Sequence, residues 1–377
     1  MNCQKSLDLH KKLGGKLEVK SKYEIKNKDD LNMIYTPCVA EVSSLIAKNK
    51  HLAKEYTIKK NTVAVVSDGS AVLGLGNIGA EAAIPVMEGK AILFKELASI
   101  DAFPICIKTQ DPEEIIQIVK NISPVFGGIN LEDISAPKCF YIEEKLQDIG
   151  IPVMHDDQHG TAIVAAAALM NASKVLGKKI SSMKIVIAGA GAAGTAIAKM
   201  IARELNPKDI VICDTKGMIS RDRNDLNPMK EKLLEITNKN NASGNMKDAL
   251  AGADVFIGVS KGGILNADLV KTMNANPIIF AMANPIPEIM PDEAKKAGAF
   301  IVGTGRGDFP NQINNALVFP GIFRGLLDGG FEKITDKIKM NAAKALAGYV
   351  KNPTAENILP DLLDKKVAAV IANSVKM

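Results

Sequence analysis

Lys184-Ile185-Val186-Ile187-Ala188-Gly189-Ala190-Gly191-Ala192-Ala193-Gly194 is the stretch that decides the fold. Its uncharged, β-branched run reads as a strand buried on both faces. The glycines follow at GxGxxG spacing and open a helical segment over 195–205. In such a turn the first glycine permits the tight bend, the second lets backbone approach a pyrophosphate, and the third allows close helix–strand packing. The helix N-terminus attracts the phosphates. Downstream, Ile210-Val211-Ile212-Cys213 reads as a second strand and ends at Asp214, about 20 residues past the last glycine, where a dinucleotide fold carries its ribose-binding acid. A Rossmann-type domain is predicted, with Gly189, Gly191, Ala192, Ala193, Gly194 and Asp214 binding the cofactor. Asp214 would accept from the ribose 2′-hydroxyl and so favours NAD; Lys216 nearby partly offsets its charge, so NADP stays possible. Further strands over 253–260, 277–282 and 299–303 end near Ser260, Asn284 and Arg306. Ligands of open parallel sheets bind beyond such strand ends, which adds Ser260 and Asn284 to the cofactor set.

Upstream of this domain stands His155-Asp156-Asp157-Gln158-His159-Gly160-Thr161-Ala162, followed by an alanine-rich helical run. Gly160 suggests that the helix starts only after the two histidines. A differently built half precedes it, with strands over 62–66, 91–94, 101–107, 126–130 and 151–154 alternating with helices, which makes it α/β. Its acidic pair Glu132-Asp133 follows one of those strands. Adjacent carboxylates repel unless a cation or a proton is shared. Glu132, Asp133 and Asp157 are therefore read as oxygen ligands of one Mg²⁺ or Mn²⁺ at an interdomain cleft. Each pair alone is also what a solvated surface shows, and His155 with His159 has the spacing of a zinc pair but lacks the accompanying glutamate. A second GxGxxG, Gly74 to Gly79, precedes a segment interrupted by Pro85 and by Glu88-Gly89-Lys90; it reads as a tight loop lining the cleft rather than a nucleotide turn. Lys90, after a glycine and before a buried strand, sits where an ammonium can be desolvated and serve as a base, although most lysines are simply surface. Tyr35, in the turn before Pro37, has packing as its default role.

Length and composition agree with a well-folded chain of two or three domains. The chain has 377 residues, 47% hydrophobic and 24% charged, with a net charge of +5 spread over many lysines. Aromatics are 4% and Trp is absent, which leaves few stacking platforms and argues against nucleic-acid binding. Five scattered cysteines without a CxxC fit a reduced, cytoplasmic setting. No signal peptide or membrane span is expected. The expected division is an N-terminal α/β domain over 1–155, a Rossmann domain over 156–314, and a helical segment over 315–377 that packs back on the first.

Several motifs together resemble the short prokaryotic malic enzymes. They are Tyr35-Thr36-Pro37, Ser67-Asp68-Gly69, Gly74-Leu75-Gly76-Asn77-Ile78-Gly79, Glu88-Gly89-Lys90, Leu131-Glu132-Asp133-Ile134, the His155–Ala162 stretch, Ala283-Asn284-Pro285, and Asn314-Asn315-Ala316-Leu317-Val318-Phe319-Pro320-Gly321. The resemblance runs in order over nearly the whole chain. It implies oxidative decarboxylation of (S)-malate to pyruvate and CO₂, with NAD(P) reduced and a divalent metal as Lewis acid. It implies Glu132, Asp133 and Asp157 as metal ligands, Lys90 as general base, Tyr35 as general acid and Asp156 as a supporting acid. Asn284, Asn314 and Asn315 would meet substrate or nicotinamide, and a homodimer is expected. Oxaloacetate decarboxylation, malolactic conversion with bound NAD, or a non-catalytic nucleotide-binding regulator are the alternatives. Two departures stand out. Cys38 replaces a usual glycine, which would strain a positive φ, and Ser70-Ala71 lacks the arginine that large eukaryotic members use to hold malate.

Overall fold

The structure is a computed structural model that describes residues 4–377, so Cys3 lies outside the described residues. Two parallel sheets organise it. The first contains β1 (Thr62–Ser67), β2 (Asp101–Cys106), β3 (Gly128–Leu131) and β4 (Val153–His155) in the order β2-β1-β3-β4. The second contains β5 (Lys184–Ala188), β6 (Asp209–Asp214), β7 (Gly217–Met218), β8 (Val255–Gly258), β9 (Ile278–Ala281) and β10 (Ile301–Thr304) in the order β10-β9-β8-β5-β6-β7. Only β7 runs antiparallel. In the first sheet the chain leaves β1 toward β2 and then crosses to β3; in the second it leaves β5 toward β6 and returns to β8. Each sheet therefore has one topological switch point, where a crevice opens beyond the carboxyl ends of its strands.

Both sheets bury both faces, and the period-2 alternation of a strand sorts the side chains. Val63 and Val65 of β1, and Ile185 and Ile187 of β5, face one shared core. Ala64 and Val66 face a second apolar cluster, Val186 and Ala188 a third. Through the shared core runs helix Asp156–Leu176, whose residues from Ala162 to Leu169 are all buried. A helix apolar all round has to lie inside, and its alanines let neighbouring elements come close. The C-terminal segment closes on the first half: Phe319 and Phe323 meet Phe94 in tilted and edge-on contacts at centroid distances of 4.7 and 5.4 Å. The N-terminal helices Gln4–Leu13, Lys28–Ile34 and Val39–Lys48 contain no buried residue and leave Leu7, Leu13, Met33 and Tyr35 exposed. No helix among the described residues is long and apolar enough to cross a membrane.

Several expectations need correction. Residues 91–94 are not a strand: one helix, Ala80–Ala98, runs through Pro85 and Gly89. Pro85 removes a single N–H donor, while Ala83, Met87, Lys90, Ala91, Phe94 and Ala98 form a helical face that is buried, and that burial outweighs the lost bond. The helix after β4 begins at Asp156, ahead of Gly160 rather than after it. Cys38 takes φ −69°, ordinary right-handed backbone, so no strain follows from it.

Helices Phe319–Gly329 and Lys366–Val375 cross at Gly321 and Gly325. A Cβ on Gly321 would lie 2.6 Å from the Ala368 carbonyl oxygen and 2.6 Å from Ile371 Cβ. Gly321→Ala gains about 1 kcal/mol of helix propensity but forces this contact apart at about 1–3 kcal/mol. A lowered thermal midpoint is expected; an unchanged or raised one contradicts the close packing.

Candidate active site

The first switch point gathers the acids. β3 delivers Glu132 and Asp133, and its register against β4, Leu131 opposite His155, sets Glu132 beside Asp156. Because the helix starts at Asp156, both Asp156 and Asp157 lie in its first turn, where the macrodipole favours negative charge. Carboxylate oxygens of Glu132, Asp133 and Asp157 all come within 4.8 Å of one another. Asp133 adopts φ +53°, a left-handed conformation that costs a non-glycine residue about 1 kcal/mol or more. The surroundings hold it there: its N–H donates to Asp157 Oδ2 at 2.8 Å, and its carbonyl accepts from Ala71 N at 2.9 Å. Ser135 N donates to Ser70 Oγ at 2.9 Å. The Ser70-Ala71 segment, which lacks the arginine, thus braces the acid loop.

Lys90 projects from helix Ala80–Ala98 into this cluster. Its Nζ lies 2.6 Å from Asp156 Oδ2, 2.8 Å from Glu132 Oε1 and 4.2 Å from the Phe319 ring centroid. Burial works to lower the lysine pKa, but the charges of Asp156 and Glu132 outweigh it and push it up. For Glu132 and Asp156 burial dominates, raising both above the usual carboxylate range against the pull of Lys90. Two carboxylates thus share one ammonium, with Asp133 and Asp157 alongside. Asn130 Nδ2 orients Glu132 at 2.9 Å, while Asp156 Oδ1 is buried without a hydrogen-bond partner. A set of hard oxygen donors with uncompensated negative charge fits a divalent cation such as Mg²⁺ or Mn²⁺.

The two histidines find other partners, although His155 Nε2 also lies 3.8 Å from Asp157 Oδ2. His159 Nε2 lies 2.9 Å from Glu143 Oε2, and His155 Nε2 lies 3.2 Å from the Ile134 carbonyl. Glu143, from helix Lys138–Lys145, also accepts from His155 N at 2.8 Å and Gln158 Nε2 at 3.2 Å. It is a structural partner that sequence reasoning missed, since nothing local separates it from Glu144. Burial raises its pKa, yet His159 and His155 overcome that and hold it at about 2.

The second switch point faces the first. Gly189 has φ +117°, and the turn to Gly191 opens to solvent. Helix Ala192–Glu204 has no side chain capping it at Gly191, which leaves its first N–H groups available to a pyrophosphate. A Cβ on Gly194 would sit 1.9 Å from the Gly189 carbonyl oxygen, the close packing expected of the third glycine. Ser260 and Asn284 lie exposed beyond β8 and β9. Buried Glu288, a second residue missed from sequence, accepts from Ser260 N and Ala283 N at 3.0 Å each and fixes both strand ends. Gly74 of the first half lies against this loop, so that a Cβ there would fall 2.2 Å from the Asn284 carbonyl oxygen. Asn315 packs beside Gly160 near Asp156, whereas the Asn314 side chain caps Ala316 N at 2.9 Å. Tyr35 ends helix Lys28–Ile34 and is 64% exposed. Asp214 ends β6 with its carboxylate held by the Arg223 and Lys230 side chains rather than by the Lys216 ammonium, which pairs with Asp225.

Comparison with known proteins agrees with this layout. Residues 14–147 match the family model of the malic enzyme N-terminal domain, and residues 158–377 that of the malic enzyme NAD-binding domain. The bifunctional malic/malolactic enzyme of Bacillus subtilis is 52% identical over 376 residues, 99% of this chain and 92% of that one. The NAD-dependent malic enzyme of Geobacillus stearothermophilus is 52% identical over 366 residues, 96% of this chain and 76% of that one. The crystal structure of the NAD-dependent malic enzyme from Thermotoga maritima superposes with a TM-score of 0.95 at 48% identity, covering 98% of both chains.

The depressed pKa of Glu143 carries a signed prediction. Its folded value lies near 2 and its ordinary value is 4.5, so the unfolded chain binds the proton first. The contribution of Glu143 to stability is complete above pH 4.5 and fades as pH falls toward 2. Glu143→Gln should cost about 2–4 kcal/mol at pH 7 and much less at pH 3.5, read from urea midpoints. An equal cost at both pH values would contradict the ionised pairing.

Proposed function

The chain belongs to the malic enzyme family, and from that premise we propose how its cleft performs the oxidative decarboxylation of malate to pyruvate and CO₂ with reduction of NAD(P). The observation that carries the reading is the convergence of Glu132, Asp133 and Asp157 within 4.8 Å, with Lys90 bonded into the same cluster. These three acids would hold Mg²⁺ or Mn²⁺, which when bound supplies Lewis acidity at the C2 oxygen of malate during loss of CO₂. NAD(P), held at the glycine turn, would supply the acceptor for the C2 hydride.

The remaining work falls to side chains. Lys90 takes the C2 hydroxyl proton as hydride leaves, and Asp156, 2.6 Å from its Nζ, receives the proton that Lys90 must shed to be ready. Gly189, Gly191, Ala192, Ala193 and Gly194 seat the pyrophosphate at the helix N-terminus. Ser260 and Asn284 line the cofactor at the strand ends, and Asn314 and Asn315 mark the substrate side. Tyr35 returns a proton to C3 of enolpyruvate. The exposed apolar residues of the N-terminal helices support a homodimer in which a second copy covers the segment carrying Tyr35. The same reading places the enzyme in the cytoplasm, where Cys38, Cys106, Cys139 and Cys213 stay as free thiols.

A malolactic outcome, with the cofactor kept bound and recycled, is favoured as a second activity by the bifunctional relative. Free NADH formed in step with pyruvate identifies the oxidative path, and lactate without free NADH the other.

Lys90→Ala should lower kcat for malate by about 10³-fold or more while unfolding stays cooperative. Asp157→Asn should weaken Mn²⁺ binding by about 100-fold or more in calorimetry. Full malate turnover in Lys90→Ala defeats the base assignment, and undiminished Mn²⁺ affinity in Asp157→Asn defeats the ligand set.

A further inference from the structure

At the adenosine end of the cofactor groove lies a charged cluster that the chemistry above does not use. Asp214 occupies the place where a dinucleotide fold reads the ribose, yet its carboxylate is already filled. Oδ1 accepts from Arg223 Nη1 at 2.8 Å and from the Lys216 backbone N–H at 2.9 Å. Oδ2 accepts from Arg223 Nη2 at 3.0 Å and from Lys230 Nζ at 2.6 Å. A carboxylate offers about four acceptor positions, so none remains for a ribose hydroxyl. Arg223 also reaches Asp225 through Nε and Nη2, both at 2.9 Å, and Asp225 pairs with Lys216 Nζ at 2.8 Å. With its contact to the Met218 carbonyl, Arg223 has every N–H engaged and acts as a fixed charge. Lys230 and Lys216 are different: each spends one ammonium N–H here and keeps two. Three cations face two acids, which leaves the cluster positive.

We propose that this cluster makes the groove prefer NADP over NAD, Lys230 and Lys216 gripping the 2′-phosphate while Arg223 neutralises Asp214. The inference rests on the cofactor reading of the Gly189–Gly194 turn. For NAD to use Asp214 as its ribose acceptor, a bidentate arginine pair or a lysine contact must break. Such charge-assisted bonds exceed the single hydroxyl bond gained in return. A 2′-phosphate asks for no such exchange, since it brings acceptors to N–H groups that are free. An unshielded Asp214 would instead repel it, so Arg223 is the specificity-determining residue.

Calorimetric binding of NADP⁺ and NAD⁺, and of the fragments 2′,5′-ADP and 5′-AMP, tests this on the full chain. The wild type should bind 2′,5′-ADP at least about tenfold more tightly than 5′-AMP, with the advantage shrinking as salt rises. Arg223→Ala frees acceptor positions on Asp214 and unshields its charge, so it should weaken 2′,5′-ADP and tighten 5′-AMP, inverting that ratio, a split that a merely structural role would not produce. Lys230→Ala, which keeps the Arg223–Asp214 pair, should lower the ratio as well. Equal binding of the two fragments by the wild type, or a parallel loss of both in the variants, overturns the inference and leaves the cofactor turn standing. Failure to bind any of the four ligands overturns the turn reading with it.

Discussion

Four carboxylates gathered beside one buried ammonium are the constraint that the rest of the molecule serves. Glu132 and Asp156 contact Lys90 in the interior, with Asp133 and the part-buried Asp157 close by, and like charges at such range are costly in a medium of low dielectric. The fold offsets the cost in several small ways. A helix N-terminus lies under two of the acids, a backbone N–H reaches Asp157, and an amide steadies Glu132. None of these cancels the charge outright, and the residual deficit is what supports the proposal of a hard cation at the three acids.

Both halves of the chain use one topological rule. Each parallel sheet reverses its strand order once, and each reversal opens a crevice beyond the strand ends. In the first sheet the crevice collects acids, in the second glycines and helix N–H groups. Gly74 against Asn284 brings the two crevices together. The proposed hydride transfer needs substrate and nicotinamide within contact distance, which opposed crevices would allow with short loops.

Much of this was legible in the sequence because its signals are local. The turn from Gly189 to Gly194 and the acid at Asp214 are set by spacing alone, and the convergence of Glu132, Asp133 and Asp157 follows from acids placed just after strands. Lys90 was harder. Pro85 and Gly89 argue against a helix, and only the spacing of Ala83, Met87, Ala91, Phe94 and Ala98 argues for one; that apolar face decided the outcome. Gly160 misled in the same way about where the next helix starts. Glu143, Glu288, Arg223 and Lys230 could not be singled out, since their roles come from partners brought near by the fold. Asp214 shows the limit: its position was readable, while its saturation by two cations was not.

Helix Asp156–Leu176 begins among the acids and continues as the alanine-rich rod around which the inner faces of both sheets close. Neither sheet possesses a complete interior without it. The two halves are thus distinct in pattern but not autonomous in folding: cutting the chain near residue 156 would strip one fragment of its central strut and leave the other with a bare apolar rod. The boundary between the two patterns is thus occupied by the very element that both interiors share.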